Sequence, residues 1–446
     1  MKKVLLCALS IAVITGFSAC NKGEVPENLT ADNSSGEVSE NISTVPVDGS
    51  ALKTPVYPKG IAFEDFQGQL DNRTKNQLDS DFFSALEDFS YKSASKLLSG
   101  STRNVTYSPV SLYMALSAAG TGARNASQKE IFSVLGISGK DADFLSDQNS
   151  KLFRQLYTDN EIGKLKIANS LWLQKNKEFK QAYVDNAADK FYASIFNVDF
   201  SDQNTSKLMS SWIAENTNGV LAPKVSLDKE QILSILNTIY YKDQWMDRFD
   251  KDKTKSDTFY LSNGSKVQCD FMNNTFLSHS FKKGEGFTAS ALYLKNGGSM
   301  IFVLPDKGIS VKSLLSTPEK TKALFEEENS SFGKVIFEVP KFSYGSDLDL
   351  KDMLNSLGMK EAFKDNADFS GITAGKAFIS NIKQQTHAAI DEEGVEAAAF
   401  TEITYAGAAP AKDLTAEMIL NRPFIFAIKY SDKLLFMGVV NNPTEK

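Results

Sequence analysis

The chain has 446 residues and a formal net charge of −6, with 42% hydrophobic and 23% charged residues. This length allows two or three domains, or one large domain with appendages, and the hydrophobic content is enough to bury a large core. The acidic balance deepens if Lys2 and Lys3 leave with a signal peptide. Nothing in it attracts a phosphate backbone, so nucleic acid is not an expected partner.

The N-terminus has the pattern of an export signal. Lys2 and Lys3 precede a short apolar run, and small residues stand before Cys20; the run is too short to span a bilayer comfortably. Cys20 resembles the acylated cysteine of a bacterial lipobox, although Phe17 stands where leucine is usual; the alternative is a chance cysteine after an ordinary signal peptide. We expect a lipoprotein signal peptide over 1–19 and lipidation of Cys20, which would anchor the exported protein to the bacterial outer membrane or cell surface.

The segment after Cys20 is rich in Asn, Ser, Glu, Thr, Pro and Gly, with Tyr57 as its single aromatic residue. Such a composition cannot bury enough apolar surface to order itself. It predicts a disordered tether over 20–62. Because no second linker or internal repeat follows, we expect one domain over 63–446.

Helical patterns occupy the first part of this domain and strand patterns the second. Apolar residues recur at helical spacing from Leu78 to Phe89, residues 112–119 form an apolar helix, and Ser127 and Glu130 form a capping box before a third helix. Strands are predicted over Leu165–Leu173, Ile232–Tyr241, Phe287–Leu294, Met300–Leu304, Lys334–Val339, Ala377–Ile382 and Pro423–Tyr430. Helices first and antiparallel strands behind them indicate an α+β fold.

The residues that commonly carry chemistry are sparse. His279 and His387 are far in sequence from other ligand groups, and the chain has no G-x-S-x-G elbow, phosphate-binding loop or dinucleotide fingerprint. Cys269 lies in an alternating stretch typical of a packed strand residue rather than a catalytic thiol. A paired-carboxylate hydrolase stays open as an alternative, since any two acids can meet in a fold. We predict no enzymatic activity, no cofactor and no metal site.

The most informative segment is 391–401, which follows a strand pattern and begins a long connection before the next strand. As a strand, one of its faces carries Val395, Ala397 and Ala399 and has no charge. Such a face can lie on a hydrophobic core, so the connection could itself become a strand. The alternative is that Glu-Ala-Ala-Ala is simply good helix sequence.

Residues 392–399 read EEGVEAAA, which is similar to the reactive-loop hinge of inhibitory serpins, typically acidic-x-Gly-Thr-Glu-Ala-Ala-Ala. Separate motifs in the same order resemble other parts of that family: the shutter region at 108–112, the central-sheet strand ending at the breach at 236–245, a helix and turn at 350–371, and the C-terminal signature at 421–443. The resemblance spans about residues 63–443. It assigns to the hinge Glu392, Glu393, Gly394, Val395, Glu396, Ala397, Ala398 and Ala399, and to the shutter and breach Ser108, Ser111, Asn237 and Trp245.

The resemblance implies a large central, mostly antiparallel sheet, two further sheets, about nine helices and an exposed reactive-centre loop over 392–418. It also implies a monomeric suicide-substrate inhibitor of serine and, as an open extension, cysteine endopeptidases. The target attacks the loop and forms a covalent acyl complex, and the cut loop then inserts into the central sheet. A non-inhibitory serpin acting as a binding module is the alternative.

Counting as the family counts, the fourteenth residue after Gly394 is Ala408, which places the scissile bond at Ala408–Ala409. The loop is slightly long beyond that point, so the window extends over Tyr405, Ala406 and Gly407. No Lys or Arg lies between Gly394 and Lys412. This disfavours trypsin-like targets and favours elastase-like ones, whereas cleavage after Tyr405 would indicate a chymotrypsin-like target.

Three residues depart from the family pattern. Val395 replaces the common hinge threonine, and Phe400 puts a bulky ring on the face expected to stay exposed. Gln384 stands where many animal serpins have a shutter histidine, which leaves the control of sheet opening unassigned.

Overall fold

The computed structural model describes residues 51–326, 328–380, 382–395 and 414–445. Its α-helices are α1 (Phe66–Lys75), α2 (Ser80–Leu98), α3 (Pro109–Gly122), α4 (Asn125–Val134), α5 (Ala142–Leu156), α6 (Gln181–Lys190), α7 (Gln203–Asn216), α8 (Val311–Leu314), α9 (Pro318–Ala323) and α10 (Lys351–Leu357). Its strands are β1 (Ala51–Lys53), β2 (Val105–Tyr107), β3 (Thr158–Asp159), β4 (Lys164–Gln174), β5 (Ala193–Val198), β6 (Leu233–Gln244), β7 (Lys255–Tyr260), β8 (Lys266–Gly284), β9 (Phe287–Tyr293), β10 (Gly298–Pro305), β11 (Ser331–Pro340), β12 (Phe342–Asp349), β13 (Lys383–Ile390), β14 (Gly394–Val395), β15 (Thr415–Ile419), β16 (Phe424–Tyr430) and β17 (Lys433–Val440).

The helices α2 and α3 begin where their sequences supply a cap. The Asp79 carboxylate accepts hydrogen bonds from the first backbone N–H groups of α2, and the helix buries the apolar stripe predicted for it. Ser108 caps α3, and Pro109 occupies the first helical position, where its missing N–H costs nothing. The two predicted helices are confirmed, and α3 is buried along almost its whole length.

The central sheet has the strand order β1-β5-β4-β6-β14-β13-β12, with β3 paired to β4. Only β4 and β5 run parallel among its paired neighbours; the other pairings are antiparallel. The short strand β14 lies between β6 and β13 and pairs with both. In the described chain it is the link between one half of the sheet, β1, β5, β4 and β6, and the other half, β13 and β12. Helix α7 covers one half, where Trp212 belongs to a small core with the stacked rings of Trp172 and Phe196.

The second sheet has the order β15-β11-β8-β9-β10-β16-β17-β2, with β7 paired to β8. The two further sheets expected from the resemblance are joined here, because the 19-residue strand β8 runs through both. Most of the buried apolar side chains of α2, α3, β16 and β17 form one large core with the inner face of the central sheet. The α+β prediction is confirmed.

Six of the seven predicted strands are present, as β4, β6, β9, β10, β11 and β16. The prediction over Ala377–Ile382 is wrong, because the strand in this region is β13, which begins at Lys383. The backbone N–H of Ile379 donates to the carbonyl oxygen of Ala362, and the carbonyl of Ile382 accepts from Leu350. This segment thus bonds to the loops around α10 rather than to a neighbouring strand, and it buries Ala377 but leaves Phe378 exposed.

The predicted capping box at Ser127 and Glu130 is also wrong. Helix α4 begins two residues earlier, at Asn125. The Ser127 hydroxyl accepts a hydrogen bond from the backbone N–H of Asp368, and the Glu130 carboxylate accepts from those of Lys360 and Glu361. Both side chains therefore hold a distant loop instead of their own helix end.

The predicted tether ends too late, because residues 51–62 are packed on the domain. Strand β1 pairs with the outer edge of β5, and the Lys53 ammonium lies 3.0 Å from the carboxylates of both Asp185 and Asp189 on α6. The Tyr57 ring stacks among the three aromatic rings of Phe153, Tyr157 and Tyr192. Composition misled here because one aromatic residue and one edge strand are enough to dock the segment. Residues 1–50, which include Cys20 and the rest of the predicted tether, lie outside the described residues.

The Tyr57 ring should anchor this N-terminal segment measurably. The ring is half-buried, and burial raises the pKa of Tyr57 to about 12. We expect Tyr57→Ala to cost about 2–3 kcal/mol of stability, since it leaves a gap among three aromatic rings. Thermal unfolding of the chain from residue 51 would measure this loss. The control is Val56→Ala, because Val56 is 84% exposed; equal melting temperatures for both variants would contradict the anchoring role.

Candidate functional site

The hinge segment folds into a tight turn at one end of the central sheet. The Asp391 carboxylate accepts hydrogen bonds from the backbone N–H groups of Glu393 (2.8 Å) and Gly394 (3.2 Å), and the N–H of Asp391 donates to the carbonyl of Gly394 (3.1 Å). The turn sends the chain back antiparallel to β13, with Val395 opposite Ile390. On its other side, Gly394 pairs with Gln244 and Val395 with Asp243 of β6. Gly394 and Val395, the third and fourth hinge residues, thus already form a strand between β6 and β13.

Trp245, which follows β6, holds this turn from the breach side. Its backbone N–H donates to the carbonyl oxygen of Glu393 (3.0 Å), and its indole Nε1 donates to that of Asp391 (2.8 Å). The carbonyl of Glu392 accepts from the backbone N–H of Phe249 (3.0 Å). Three successive carbonyls of the turn are therefore fixed by one segment, and the Trp245 side chain is buried.

Glu392 is an acidic side chain in a buried position, with 5% of its surface exposed. Its carboxylate lies 2.9 Å from the Lys341 ammonium and accepts a hydrogen bond of 2.8 Å from the Thr254 hydroxyl. Burial acts to raise the pKa of this carboxyl, but the bonds from Lys341 and Thr254 outweigh it and hold the pKa below its ordinary value. Sequence reasoning placed Glu392 in the hinge and missed both partners, which lie in distant loops and carry no signal in the sequence.

A narrow cavity of about 20 Å³ is lined by Val395 and by residues of β6 and β13, and we call it the slot. Its walls include Ile239 of β6 and residues 387–389 of β13, and its floor includes Ile428 and Phe436 of the second sheet. Among the described residues no backbone pairing joins β6 directly to β13, and most of the β6 side chains from Leu233 to Ile239 are only half-buried. The slot is apolar at its floor and narrow, so it suits small uncharged side chains.

The shutter residues lie at the far end of the slot, where they connect the start of α3 to β6 and to β17. The Ser111 hydroxyl of α3 donates to Asn237 Oδ1 of β6, and Asn237 Nδ2 donates to Asn169 Oδ1 of β4 (2.5 Å). The Ser108 hydroxyl donates to the carbonyl of Leu435 in β17 (2.7 Å). Ser108, Ser111 and Asn237 therefore lie close together, whereas Trp245 lies with the hinge.

Gln384 supplies the contact to the other wall. Its Nε2 donates to the Ser108 carbonyl and its Oε1 accepts from the Ser108 N–H, each at 2.8 Å. The side-chain amide thus bonds to both the backbone N–H and the backbone carbonyl of Ser108. A single imidazole nitrogen cannot donate and accept at the same time. Gln384 is consequently a shutter residue in this chain, and it carries no ionisable group.

Part of the predicted site lies outside the described residues. These are the hinge residues Glu396, Ala397, Ala398 and Ala399, the window Tyr405, Ala406 and Gly407, and the scissile pair Ala408 and Ala409. The described part ends at Val395, inside the sheet, and resumes at Leu414, beside β11.

Cys269 and His279 are packed against their neighbours in the fold. Burial raises the pKa of the Cys269 thiol to about 11, so the thiol is protonated at neutral pH and a poor nucleophile. His279 packs on Phe276 and Phe337, with Nε2 2.7 Å from the carbonyl oxygen of Ala291. Over the described ranges there is no cluster of three or more His, Cys, Asp or Glu side chains that could hold a metal ion. No helix in the same ranges is long and apolar enough to cross a membrane.

Comparison with known proteins places this geometry in a family. A family model described as serpin (serine protease inhibitor) matches residues 84–443. The chain belongs to the serpin family. Human serpin B3 is 29% identical to it over 368 residues, which cover 76% of this chain and 94% of that protein.

Two solved structures extend the comparison. The native thermophilic serpin tengpin superimposes with a TM-score of 0.75 at 27% identity, covering 89% of this chain and all of that one (100%). Human thyroxine-binding globulin complexed with thyroxine gives a TM-score of 0.71 at 26% identity, covering 82% and 100% of the two chains. The serpin fold predicted from the motifs is thus confirmed, and so is the prediction that the chain is an inhibitor-family protein rather than an enzyme.

The Glu392 carboxylate should lock the hinge turn of this serpin. We expect Glu392→Gln to lower stability by about 2 kcal/mol at pH 7, because it weakens the charge-assisted bonds from Lys341 and Thr254. Since the folded pKa of Glu392 is depressed, its contribution is present above the unfolded value of about 4.3 and is lost as pH falls through the folded pKa. Melting temperatures of the wild type and variant should therefore differ at pH 7 and converge at strongly acidic pH.

The matched control is Glu393→Gln in the same turn. Its ion-pair partner Lys251 lies 2.8 Å away and has a side chain that is 68% exposed, so the loss should be small. An equal loss for the two variants, or a Glu392 effect that persists below pH 3, would show that the Glu392 charge does not lock the turn.

Proposed function

We propose that this serpin is a suicide-substrate inhibitor of serine endopeptidases that traps the acyl-enzyme by inserting its reactive loop into the central sheet. The observation that carries the proposal is the position of Gly394 and Val395, paired on both sides between β6 and β13 at the mouth of the slot. A loop that begins in this position needs no rearrangement at its start in order to continue as a strand.

The chemistry of trapping uses the protease's own machinery. The catalytic serine oxygen of the protease attacks the carbonyl carbon of Ala408, the bond from that carbon to the Ala409 nitrogen breaks, and the protease histidine delivers the proton to the leaving amine. The inhibitor is then joined to the protease as an ester. Water would complete an ordinary hydrolysis by cleaving this ester, so trapping requires that insertion is faster than deacylation.

Insertion moves the protease far across the inhibitor. About 14 residues in extended form span ~45 Å, which carries the ester from one end of the central sheet toward the other. Removing one oxyanion donor slows a serine protease about 100- to 1,000-fold, so a modest distortion of the displaced protease is enough to stall deacylation. The uncharged face of Val395, Ala397 and Ala399 suits the narrow slot, and the alternate face keeps Glu396 in solvent.

The loop sequence sets the proposed targets. Alanine at 408 and glycine at 407 suit the small pockets of elastase-like proteases, and the absence of Lys and Arg between 394 and 412 disfavours trypsin-like ones. Cleavage after Tyr405 would instead select a chymotrypsin-like protease. We further propose that the protein acts as an exported monomer anchored through lipid on Cys20, after removal of residues 1–19.

A second function is favoured by one observation. Thyroxine-binding globulin shares this fold and, by its description, binds thyroxine. A serpin that acts as a binding module does not need a hinge able to insert. The buried, doubly paired Val395, with 4% of its surface exposed, supports the inhibitory proposal instead.

The decisive experiment incubates the chain from residue 51 with pancreatic elastase, chymotrypsin and trypsin. A covalent complex that survives denaturing electrophoresis, with the released peptide beginning at Ala409 in mass spectrometry, is the expected result for elastase. Clean loop cleavage without a complex would favour the non-inhibitory alternative.

Changes in the inserting face should convert the trap into a substrate. Val395→Arg would put a long charged side chain at the narrow, apolar slot, and Ala399→Pro would remove a backbone donor from a central strand. Both should raise the number of inhibitor molecules consumed per protease inactivated at least about tenfold, measured by titration of residual protease activity. Val395→Thr, nearly equal in shape, is the control and should titrate like the wild type. Undiminished complex formation by Val395→Arg would rule out insertion as the trapping step.

A further inference from the structure

Asp243, near the end of β6, carries a buried carboxyl group beside the hinge. None of its surface is exposed (0%), and it is the register partner of Val395, which is itself buried. Residues directly opposite each other in an antiparallel pair place their side chains on the same face of the sheet. The Asp243 carboxyl group and the Val395 side chain therefore lie together on the inner face, at the mouth of the slot.

The Asp243 carboxylate accepts four hydrogen bonds, and all four donors are neutral. They are the Tyr241 hydroxyl (3.2 Å), the backbone N–H of Gln244 (2.8 Å), and the backbone N–H and Nδ2 of Asn296 (3.1 Å each). Asn296 lies in the turn between β9 and β10, and its Oδ1 accepts a hydrogen bond from Asn160 Nδ2 (2.8 Å). The carboxylate therefore fastens the end of one slot wall to the second sheet.

Titratable and charged groups face this carboxylate from three directions, but within the described chain none forms an ion pair with it. Tyr241 on β6 and Tyr430 on β16 are buried, which raises the pKa of both, so both hydroxyls stay neutral near pH 7. Lys295, in the turn between β9 and β10, donates from its ammonium to Gln244 Oε1 (3.2 Å). The Arg248 guanidinium donates to the same oxygen (2.7 Å). The carboxylate charge is thus held by dipoles rather than by a cation.

A buried carboxylate without a paired cation is costly when it is charged. Burial raises the pKa of Asp243 to about 6, and the four hydrogen bonds oppose this rise. Because the folded pKa lies above the ordinary value of about 3.9, the contribution of this group to stability is complete below that value. It is lost as pH rises through the folded pKa. At neutral pH the closed mouth of the slot therefore contains an unfavourable charge.

Opening the sheet at this point relieves the cost. A strand that continues from Val395 in the same register brings its next inner position opposite Tyr241, two residues along β6 from Asp243. Tyr241 lines the slot and donates to the carboxylate, so the walls must part beside this pair as insertion begins. Water then reaches the carboxylate, and this makes parting easier for the charged form than for the neutral one.

We propose that Asp243 is a positioning residue for loop insertion: its charged carboxylate holds the mouth of the slot ready to open, and protonation keeps the mouth closed. Insertion, and with it trapping, is then faster at neutral pH than at mildly acidic pH. This inference rests on the proposed function, because it concerns the insertion step of that mechanism.

The test compares Asp243→Asn with the wild type at about pH 5.5 and about pH 7.5, with pancreatic elastase as the probe. The measured quantity is the ratio of cleaved free inhibitor to covalent complex. From the lower to the higher pH, this ratio in the variant should rise on the order of tenfold relative to the wild type. Comparing two inhibitors at each pH cancels the pH dependence of the protease. The matched control is Asp247→Asn, exposed just after β6, which should follow the wild type at both values.

A measurement without protease covers the case in which the variant is less stable for another reason. Hydrogen–deuterium exchange of the backbone amides of residues 242–245 reports the opening of the mouth directly. The exchange rate of the wild type relative to Asp243→Asn should rise on the order of tenfold between the same two pH values, because only the wild type gains a charge. A constant loss of stability in the variant would shift both values equally and leave this change intact.

The outcomes separate this inference from the proposed function. If the wild type forms no complex, trapping fails as a function, and the exchange measurement alone decides the role of Asp243. Relative values that do not change with pH would overturn the inference. His387 also lines the slot, and histidine titrates in this range. A pH dependence that disappears in His387→Gln and persists in Asp243→Asn would assign the effect to the imidazole and overturn the inference as well.

Discussion

The pairing of Val395 with two strands at once is the constraint on which the rest of this structure depends. A buried strand edge must find partners for its N–H and C=O groups, and β6 and β13 face each other with only the two residues of β14 between them in the described chain. The central sheet is therefore complete at one end and open below it. Each further residue that enters adds hydrogen bonds to both walls and buries apolar surface of the slot. In the proposed mechanism, this gain would favour insertion once the loop is cut.

The residues around the slot divide into two groups with different tasks. At the mouth, Trp245 and Glu392 hold the turn in place, so the first residue of any inserted strand is already in register. At the far end, α3 contacts both walls, through Ser111 to Asn237 and through Ser108 to Gln384. Asn237 lies six residues before Asp243 in β6, and Gln384 lies six residues before Ile390 in β13, so the two contacts are level. A strand longer than about six residues, or ~20 Å, must therefore displace them. None of the four residues that make these two contacts carries an ionisable side chain.

Much of the fold could be predicted from the sequence, but only part of the candidate site could. Long periodic segments such as α2, β4 and β6 were predictable because their apolar residues repeat at the period of the element. The hinge was recognisable from its resemblance to the reactive-loop hinge of serpins, because its small residues taken alone were equally compatible with a helix. The partners Lys341 and Thr254 were not, because one lysine and one threonine among many have no local pattern that marks a tertiary ion pair. The strand at 377–382 and the capping box at Ser127 failed for a related reason: distant loops offered those groups better partners than their neighbours in sequence did.

The N-terminal segment covers the outer edge of β5 in the central sheet. An uncovered edge strand can pair with any extended chain, including the loop of another copy. Strand β1 occupies the outer edge of β5, and Lys53 fastens it to α6. At the other edge, the Ser346 hydroxyl of β12 accepts a hydrogen bond from the backbone N–H of Thr106 in β2, which ties that edge to the second sheet. Within the described sheet, the slot between β6 and β13 is the place where a new strand gains two partners rather than one. A cut loop tethered at Gly394 reaches that place first because its own first residues already lie there.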